Sequence, residues 1–258
     1  MTPTVRPEDD WERHWREYSD SAEINPAQRY RNRLTFELLR LGAGDARVVD
    51  IGSGQGDFAA ELKRRHPHCE VLGLEYSQSG IDVASAKVPA AAFLRRDLTI
   101  DTEPPPEYRA WGTHAICIEV LEHVDSPQTL LANAAAYLGP GCQLVVTVPG
   151  GPMSAYDKHI GHRHHYTPGE LHRLLTDAGF EVELATTAGF PFHNLYRLVV
   201  ILRGRRLADD VAAGSSTSTS RLAGTVMRVF DVLFRLNLRS SRWGWQMVAV
   251  ARVPETSK

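Results

Sequence analysis

Short apolar runs alternate with segments of helical period along most of this chain. Near the start, Trp11, Trp15 and Tyr18 fall at i, i+4 and i+7, which predicts an aromatic face on an N-terminal helix. The stretch NPAQRYRNRLTFELLRLGAG begins with Asn25 as N-cap, Pro26 at the first helical position and Gln28 three residues after the cap, and it ends in glycines. From Arg47 the period changes: RVVDIG, EVLGLE, AAFLRRD, HAICIEV and CQLVVTVP read as strands separated by helical segments. Ser126-Pro127 opens one later helix, and Thr167-Pro168 with Glu170 forms a capping box that opens another. FHNLYRLVVILRG and LAGTVMRVFDVLFRLNL then predict two strongly apolar helices, joined by the Gly/Ser/Thr linker AAGSSTSTS, and WQMVAVARV predicts a closing strand. Strands alternating with helices imply right-handed βαβ units, hence an α/β fold with a doubly wound parallel sheet. One structural domain in four parts is expected: a helical cap over residues 1–44, a core over 45–190, a helical insertion or lid over 191–243, and a final strand with tail over 244–258.

Composition narrows the partners. Of 258 residues, 43% are apolar and 23% charged, enough for a sizeable core, and a formal net charge of −2 argues against a general nucleic-acid scaffold. Cys69, Cys117 and Cys142 have no CxxC spacing and read as reduced core thiols of a cytoplasmic protein. No apolar signal-peptide core or membrane-spanning run is present. Charge is unevenly placed: Arg197 to Arg242 holds nine arginines against three aspartates, a basic apolar pair of helices suited to packing on the core, a dimer seam or a peripheral membrane contact.

The most specific local signal is VVDIGSGQGDF. A strand carrying Asp50 runs into Gly52, Gly54 and Gly56 and then into a helix, so the backbone can approach a ligand and the helix start offers free N–H groups. Glu75 ends the next strand, nineteen residues after Gly56, where a doubly wound fold places an acid on a ribose hydroxyl pair. The spacing is GxGxG, not the GxGxxG of a dinucleotide site, which suits a nucleotide-like cofactor without pyrophosphate. Together with VLGLEYS, RRDL, CIEVLEHV, YLGPGCQLVVTVPGG and HYTPGELHRLLTDAGF, this loop resembles the class I S-adenosylmethionine-dependent methyltransferases from about Arg29 to Arg252. The resemblance implies a Rossmann-like, seven-stranded, mostly parallel sheet whose last strand is antiparallel. It also implies cofactor contacts by Asp50, Gly52, Ser53, Gly54, Gly56, Glu75, Tyr76, Asp97, Leu98 and Glu119. Cys142 replaces the second glycine of the family's usual GPGG, and the segment between Phe190 and Trp243 exceeds a minimal member.

A sulfonium methyl is already electrophilic, so such an enzyme mainly aligns the attacking atom and, for a hydroxyl, removes its proton. His123, just after the fourth predicted strand, is the expected base, and Glu122 is a weaker candidate. DKHIGHRHHYT packs His159, His162, His164 and His165 after the fifth strand, where with Tyr156 they can close the pocket, His164 or His165 facing the substrate. Glu119, Glu122 and His123 have an E-x-x-E-H spacing similar to that of ubiquinone-pathway O-methyltransferases and small-RNA 2′-O-methyltransferases. A divalent metal is therefore possible though not favoured, and no metal ligand is assigned. The leading reading is a cytoplasmic methyltransferase acting on O or N of a small, partly hydrophobic metabolite, with S-adenosylmethionine as cofactor. The alternatives are a metal-dependent RNA 2′-O-methyltransferase, though a nucleic-acid partner is not expected, and a non-catalytic cofactor-binding partner subunit.

Overall fold

The computed structural model describes residue 12 and residues 25–42, 44–212 and 217–255, with the backbone alone for 203–212, 217–223 and 225. The aromatic face at Trp11, Trp15 and Tyr18 and residues 213–216 of the linker lie outside the described residues. The first helix described, α1 (Pro26–Leu39), starts as the sequence predicts: the Asn25 side chain accepts from the Ala27 N–H at 3.0 Å. Then follow β1 (Arg47–Ile51), α2 (Asp57–Arg65), β2 (Glu70–Glu75), α3 (Gln78–Lys87), β3 (Ala92–Arg95), β4 (Gly112–Ile118), α4 (Pro127–Ala135) and β5 (Leu138–Pro149). The second half adds α5 (Ala155–His159), α6 (Pro168–Asp177), β6 (Glu181–Ala188), α7 (Phe192–Ala212), α8 (Thr217–Leu233) and β7 (Gln246–Arg252).

The seven strands form one sheet in the order β3-β2-β1-β4-β5-β7-β6. β7 pairs antiparallel with both β5 and β6, while the other pairings are parallel, as the family resemblance implies. Alternation along the strands divides the core. Val48, Val71, Ile116 and Val145 pack with Leu39, Phe58 and Leu62 on one face, whereas Val49, Leu72, Ala115 and Leu144 pack with Leu131, Leu171 and Leu175 on the other. Both faces are covered, so the strands are apolar on both sides.

Three features depart from the periodicity reading. β6 was not among the predicted strands, because as a sheet-edge element it buries only its last two residues and shows no clean alternation. The histidine-rich stretch, whose periodicity predicts no helix, opens within one: Ser154 and Asp157 make a reciprocal capping box that starts α5, which runs to His159. Thr217–Ser220, read as linker, is the first turn of α8. The second predicted capping box is present, with Thr167 and Glu170 satisfying each other's backbone N–H groups.

At the turn into β7, a Cβ added to Gly244 would lie 2.1 Å from the Ala188 carbonyl oxygen and 2.5 Å from its carbon, both backbone atoms of β6. Gly244→Ala is therefore expected to lower stability by about 3 kcal/mol in chemical denaturation. Thr167→Ala, which removes one cap, should lose only about 1 kcal/mol.

Candidate active site

Strand register decides which loops meet. Asp50 lies opposite Gly73 on one side and Ile116 on the other, and Ile51 lies opposite Leu74 and Cys117. The chain therefore leaves β1 at Gly52, β2 at Glu75 and β4 at Glu119 along a single edge, at the point where the strand order reverses. That edge is where doubly wound sheets hold ligands. The loops touch there: a Cβ on Gly52 would stand 2.4 Å from a Val120 methyl. Gly52, Gly54 and Gly56 have φ of 73°, 52° and 76°, values that side chains rarely adopt, and Gly56 caps α2.

Beneath this loop lies a group of carboxylates. Glu75 is buried, and its two oxygens accept from the Gly54 N–H at 2.8 Å and the Ser77 N–H at 2.9 Å. Burial raises its pKa in spite of those bonds. Asp50 is also buried, and its Oδ2 and the Ser53 hydroxyl have no hydrogen-bond partner among the described residues. Burial first, then the charges of Glu75 and Asp57, push Asp50 up to about 7. Unpartnered polar atoms beside a backbone cradle fit a bound polar ligand, and the crowded negative charge favours one that carries positive charge. Tyr76 is exposed at the rim, and Leu98 is buried with its carbonyl accepting from Asn133 Nδ2 at 2.8 Å. Asp97 Oδ1 accepts from the Thr99 N–H at 3.0 Å. From the N-terminal segment, Glu12 accepts from the N–H groups of Gln78 and Ser79 at 2.7 and 2.9 Å. Burial would raise its pKa, but the bonds from Ser79 and Gln78 outweigh that and hold it at about 2.

Glu119 adopts φ 54°, a strained backbone for a residue with a side chain. Its Oε1 accepts from Gln246 Nε2 at 2.8 Å and from the Thr147 hydroxyl at 3.2 Å, while Arg31 Nε of α1 stands 3.6 Å from Oε2. One turn on, Glu122 is fully buried and neither carboxyl oxygen has a hydrogen-bond partner among the described residues; burial and then Glu119 raise its pKa well above the carboxylate range.

The histidines divide into two groups. His123, His162 and His165 converge: the His123 and His162 rings stand edge to face at 4.7 Å, and His162 Nδ1 lies 3.0 Å from His165 Nε2. His165 Nδ1 in turn lies 3.1 Å from the Gly151 carbonyl oxygen. A carbonyl only accepts, so His165 carries its proton on Nδ1; its Nε2 then accepts from His162 Nδ1–H, which leaves the His162 lone pair on Nε2. Burial lowers both pKa values, that of His162 to about 2 with His123 adding to the effect, so both rings are neutral near pH 7. His164 points elsewhere, half exposed, 3.7 Å from Glu170 and stacked edgewise on Tyr166, and His159 is exposed.

Two residues outside the predicted site hold this wall in place. Asp157, fully buried, receives both guanidinium nitrogens of Arg197 at 2.8 and 2.9 Å, and its Oδ2 also accepts from the N–H and hydroxyl of Ser154, each at 2.7 Å. Burial alone would raise the Asp157 pKa; Arg197 and Ser154 outweigh it and hold it at about 2. The Ser-x-x-Asp spacing could have revealed the capping role of Asp157, but no sequence pattern pairs it with an arginine forty residues later in an apolar helix. Arg31 was likewise hidden in a helix read only for its caps. Two triplets, Glu122/His123/His162 and Asp157/His162/His165, bring ligand atoms within 4.8 Å of one another. The second is already consumed by the Arg197 fork and the His162–His165 bond, so the first is the better seat for a divalent ion.

A family model described as a methyltransferase domain matches residues 25–185. Trans-aconitate 2-methyltransferase of Methylobacterium nodulans is 33% identical over 108 residues, 42% of this chain, and that match spans only 40% of the relative. Ubiquinone biosynthesis O-methyltransferase of Hahella chejuensis is 30% identical over 212 residues, covering 76% of this chain and 82% of the relative. Among solved structures, the 4+2 cyclase SpnF has a TM-score of 0.65 at 16% identity and covers 98% of each chain. Phosphoethanolamine N-methyltransferase 2 of Haemonchus contortus has a TM-score of 0.64 at 14% identity over 98% of this chain and 61% of that one. At such identities the structural likenesses speak for the fold alone.

The raised pKa of Asp50 has a consequence for stability. The folded state binds a proton that the unfolded state releases above about pH 4, so stability falls as pH rises from there to about 7. Asp50→Asn should remove that dependence. Its stability relative to the parent chain is expected to climb between about pH 4 and 7, to a gain on the order of 4 kcal/mol, and then level off. Urea denaturation at a series of pH values reads this directly, and parallel curves for the two proteins would rule it out.

Proposed function

The chain belongs to the methyltransferase-domain family of class I S-adenosylmethionine-dependent enzymes, and we propose that it methylates an oxygen or nitrogen of a small, partly hydrophobic metabolite in the cytoplasm. S-adenosylmethionine is its cofactor. When bound, that cofactor supplies a methyl group already activated by its sulfonium. The chain's residues hold it, align the acceptor and manage the acceptor's proton. Cys69, Cys117 and Cys142, all buried and free, support a reducing compartment.

On the cofactor side, the Gly52–Gly56 backbone and Ser53 cradle the ligand, and Asp50 and Glu119 supply buried negative charge that complements its cationic groups. Glu75 is oriented by Gly54 and Ser77, and each of its oxygens keeps a lone pair for a ribose hydroxyl. Tyr76, Asp97 and Leu98 flank the base. On the acceptor side, His123 takes the proton. The neutral His162–His165 pair, with its tautomers set by the Gly151 carbonyl, holds the wall against which the His123 ring stands. His164, turned out to Glu170, stands apart from this pair. The observation that carries this reading is the convergence of His123, His162 and His165 beside the carboxyl ends of β4 and β5. The inner side of α7, with His193, Tyr196 and Arg197, closes the chamber as a lid, and its outward side remains available for peripheral contact.

A metal-assisted variant has one observation in its favour, the two unbonded oxygens of buried Glu122 next to His123 and His162. Chelation separates the two. Turnover is expected to survive EDTA; loss of turnover restored by a divalent ion would instead make Glu122, His123 and His162 ligands.

The substrate itself is best found by incubating purified enzyme and methyl-labelled S-adenosylmethionine with a small-molecule extract of the native organism, then identifying the labelled product by mass spectrometry. With that substrate, His123→Ala should lower kcat by roughly 100-fold or more while cofactor affinity stays within a few-fold. Glu75→Ala should do the reverse, weakening S-adenosylmethionine by about 1.5–3 kcal/mol in calorimetry. Unchanged affinity in Glu75→Ala would remove that residue from the cofactor site.

A further inference from the structure

Exposed apolar area is concentrated in one segment. Of thirteen large hydrophobic side chains exposed among the described residues, ten lie between Leu195 and Trp243. On α7, Leu195, Leu198, Val199 and Leu202 fall at i, i+3, i+4 and i+7 and form one outward stripe, with Leu202 77% exposed. The other side of the same helix turns inward, burying His193 and Val200 and sending Arg197 to Asp157. On α8, Phe230 packs on Tyr196, and just past the helix end Phe234 packs on Tyr30 and Tyr196. That leaves Val226, Val229 and Val232 facing out, followed by exposed Leu236, Leu238 and Trp243.

Charge singles out the same segment. Arg197 to Arg242 contains nine of the chain's 29 basic residues but only three of its 31 acidic ones, in a protein of net charge −2. Arg228, Arg235, Arg239 and Arg242 are exposed among the apolar positions, and the Arg242 guanidinium lies 4.9 Å above the Trp243 ring. Asp231, the acid of this stretch whose side chain is described, points back to Arg29 and Arg33 of α1 at 3.9 and 3.6 Å; Arg239 reaches Glu37 of α1 at 3.5 Å, while Arg228, Arg235 and Arg242 form no ion pair among the described residues.

We infer that the outward faces of α7 and α8, with the segment to Trp243, form a docking surface for an anionic lipid bilayer. Apolar side chains interleaved with arginines and an exposed tryptophan match a surface whose headgroups are negative and whose acyl boundary is apolar. No helix among the described residues is long and apolar enough to cross a membrane, so these helices lie on it. A second copy of the chain fits less well, because a two-fold contact would set this arginine-rich face against itself. A nucleic acid would answer the arginines but leave the valine and leucine stripes in water. The inference is independent of the acceptor chemistry and is tested without turnover.

The test is co-sedimentation of the full chain with vesicles of phosphatidylcholine alone or with about 30 mol% phosphatidylglycerol. Partitioning to the anionic vesicles should be at least roughly tenfold stronger and should fall steeply between about 0.1 and 0.5 M salt. Val229→Glu with Leu236→Glu, and separately Arg228→Glu with Arg235→Glu, should each lower it by about tenfold or more. Calorimetric S-adenosylmethionine affinity should be unchanged in both variants, which also shows that they fold. Three results overturn the inference: a wild-type chain that binds anionic vesicles no better than neutral ones, binding that neither variant weakens, or light scattering that shows a dimer abolished by the same substitutions while vesicle binding is absent. Tighter binding to single-stranded RNA than to anionic vesicles, unmoved by the valine and leucine substitutions, would overturn it in favour of a nucleic acid.

Discussion

Parallel pairing of β1 with β2 on one side and β4 on the other is the constraint from which the site follows. Hydrogen bonding fixes the register residue by residue, with Ile51 level with Leu74 and Cys117. Gly52, Glu75 and Glu119 therefore reach the same edge although up to 67 positions separate them in the chain. A shift of one residue in either pairing would exchange the side chains that pack on the two faces and carry Asp50 and the glycine loop out of line with Glu75 and Glu119. The ligand edge and the hydrophobic core are thus set by the same bonds.

At that edge the fold collects like charges at some expense to itself. Asp50 and Glu75 sit together under the glycine loop, and Glu119 and Glu122 follow β4, so burial and mutual repulsion raise Asp50 and Glu122 in particular. Part of this is relieved within the chain, by Arg31 and Gln246 at Glu119 and by backbone N–H groups at Glu75. What is left unrelieved, above all Asp50, is the part a cationic cofactor would relieve on binding, and binding would then be coupled to deprotonation. Strain at Glu119 belongs to the same pattern, a local cost held by the surrounding sheet.

The histidine cluster and its anchor come from three distant parts of the chain. β4 delivers His123, the segment after β5 delivers His162 and His165, and α7 delivers Arg197, whose fork on Asp157 ties the insertion to the histidine wall. Because Asp157 also caps α5, one carboxylate joins a helix start and a buried ion pair beside His162. Held this way, the segment has two unlike sides: an inner one joined to the histidine cluster through Arg197 and Asp157, and an outer one that is apolar and basic.

The sequence by itself determined whatever depends on neighbours in the chain. Helix starts at Asn25 and Thr167, the glycine loop after Asp50, five of the central strands and the closing one, and the doubly wound class were legible because caps, positive-φ glycines and apolar period are local physical demands. His123 was legible for the same reason, as the position after a readable strand. Only the tertiary structure decided which histidines meet. His164 and His165 are adjacent in sequence, yet one joins His162 while the other turns out to Glu170, because their side chains diverge as the chain extends into the α6 cap. It alone also paired Asp157 with Arg197 and Glu119 with Arg31, and gave α7 its inner and outer sides. Partners of that kind are chosen by register and by packing between elements far apart in the chain, and no local pattern encodes them.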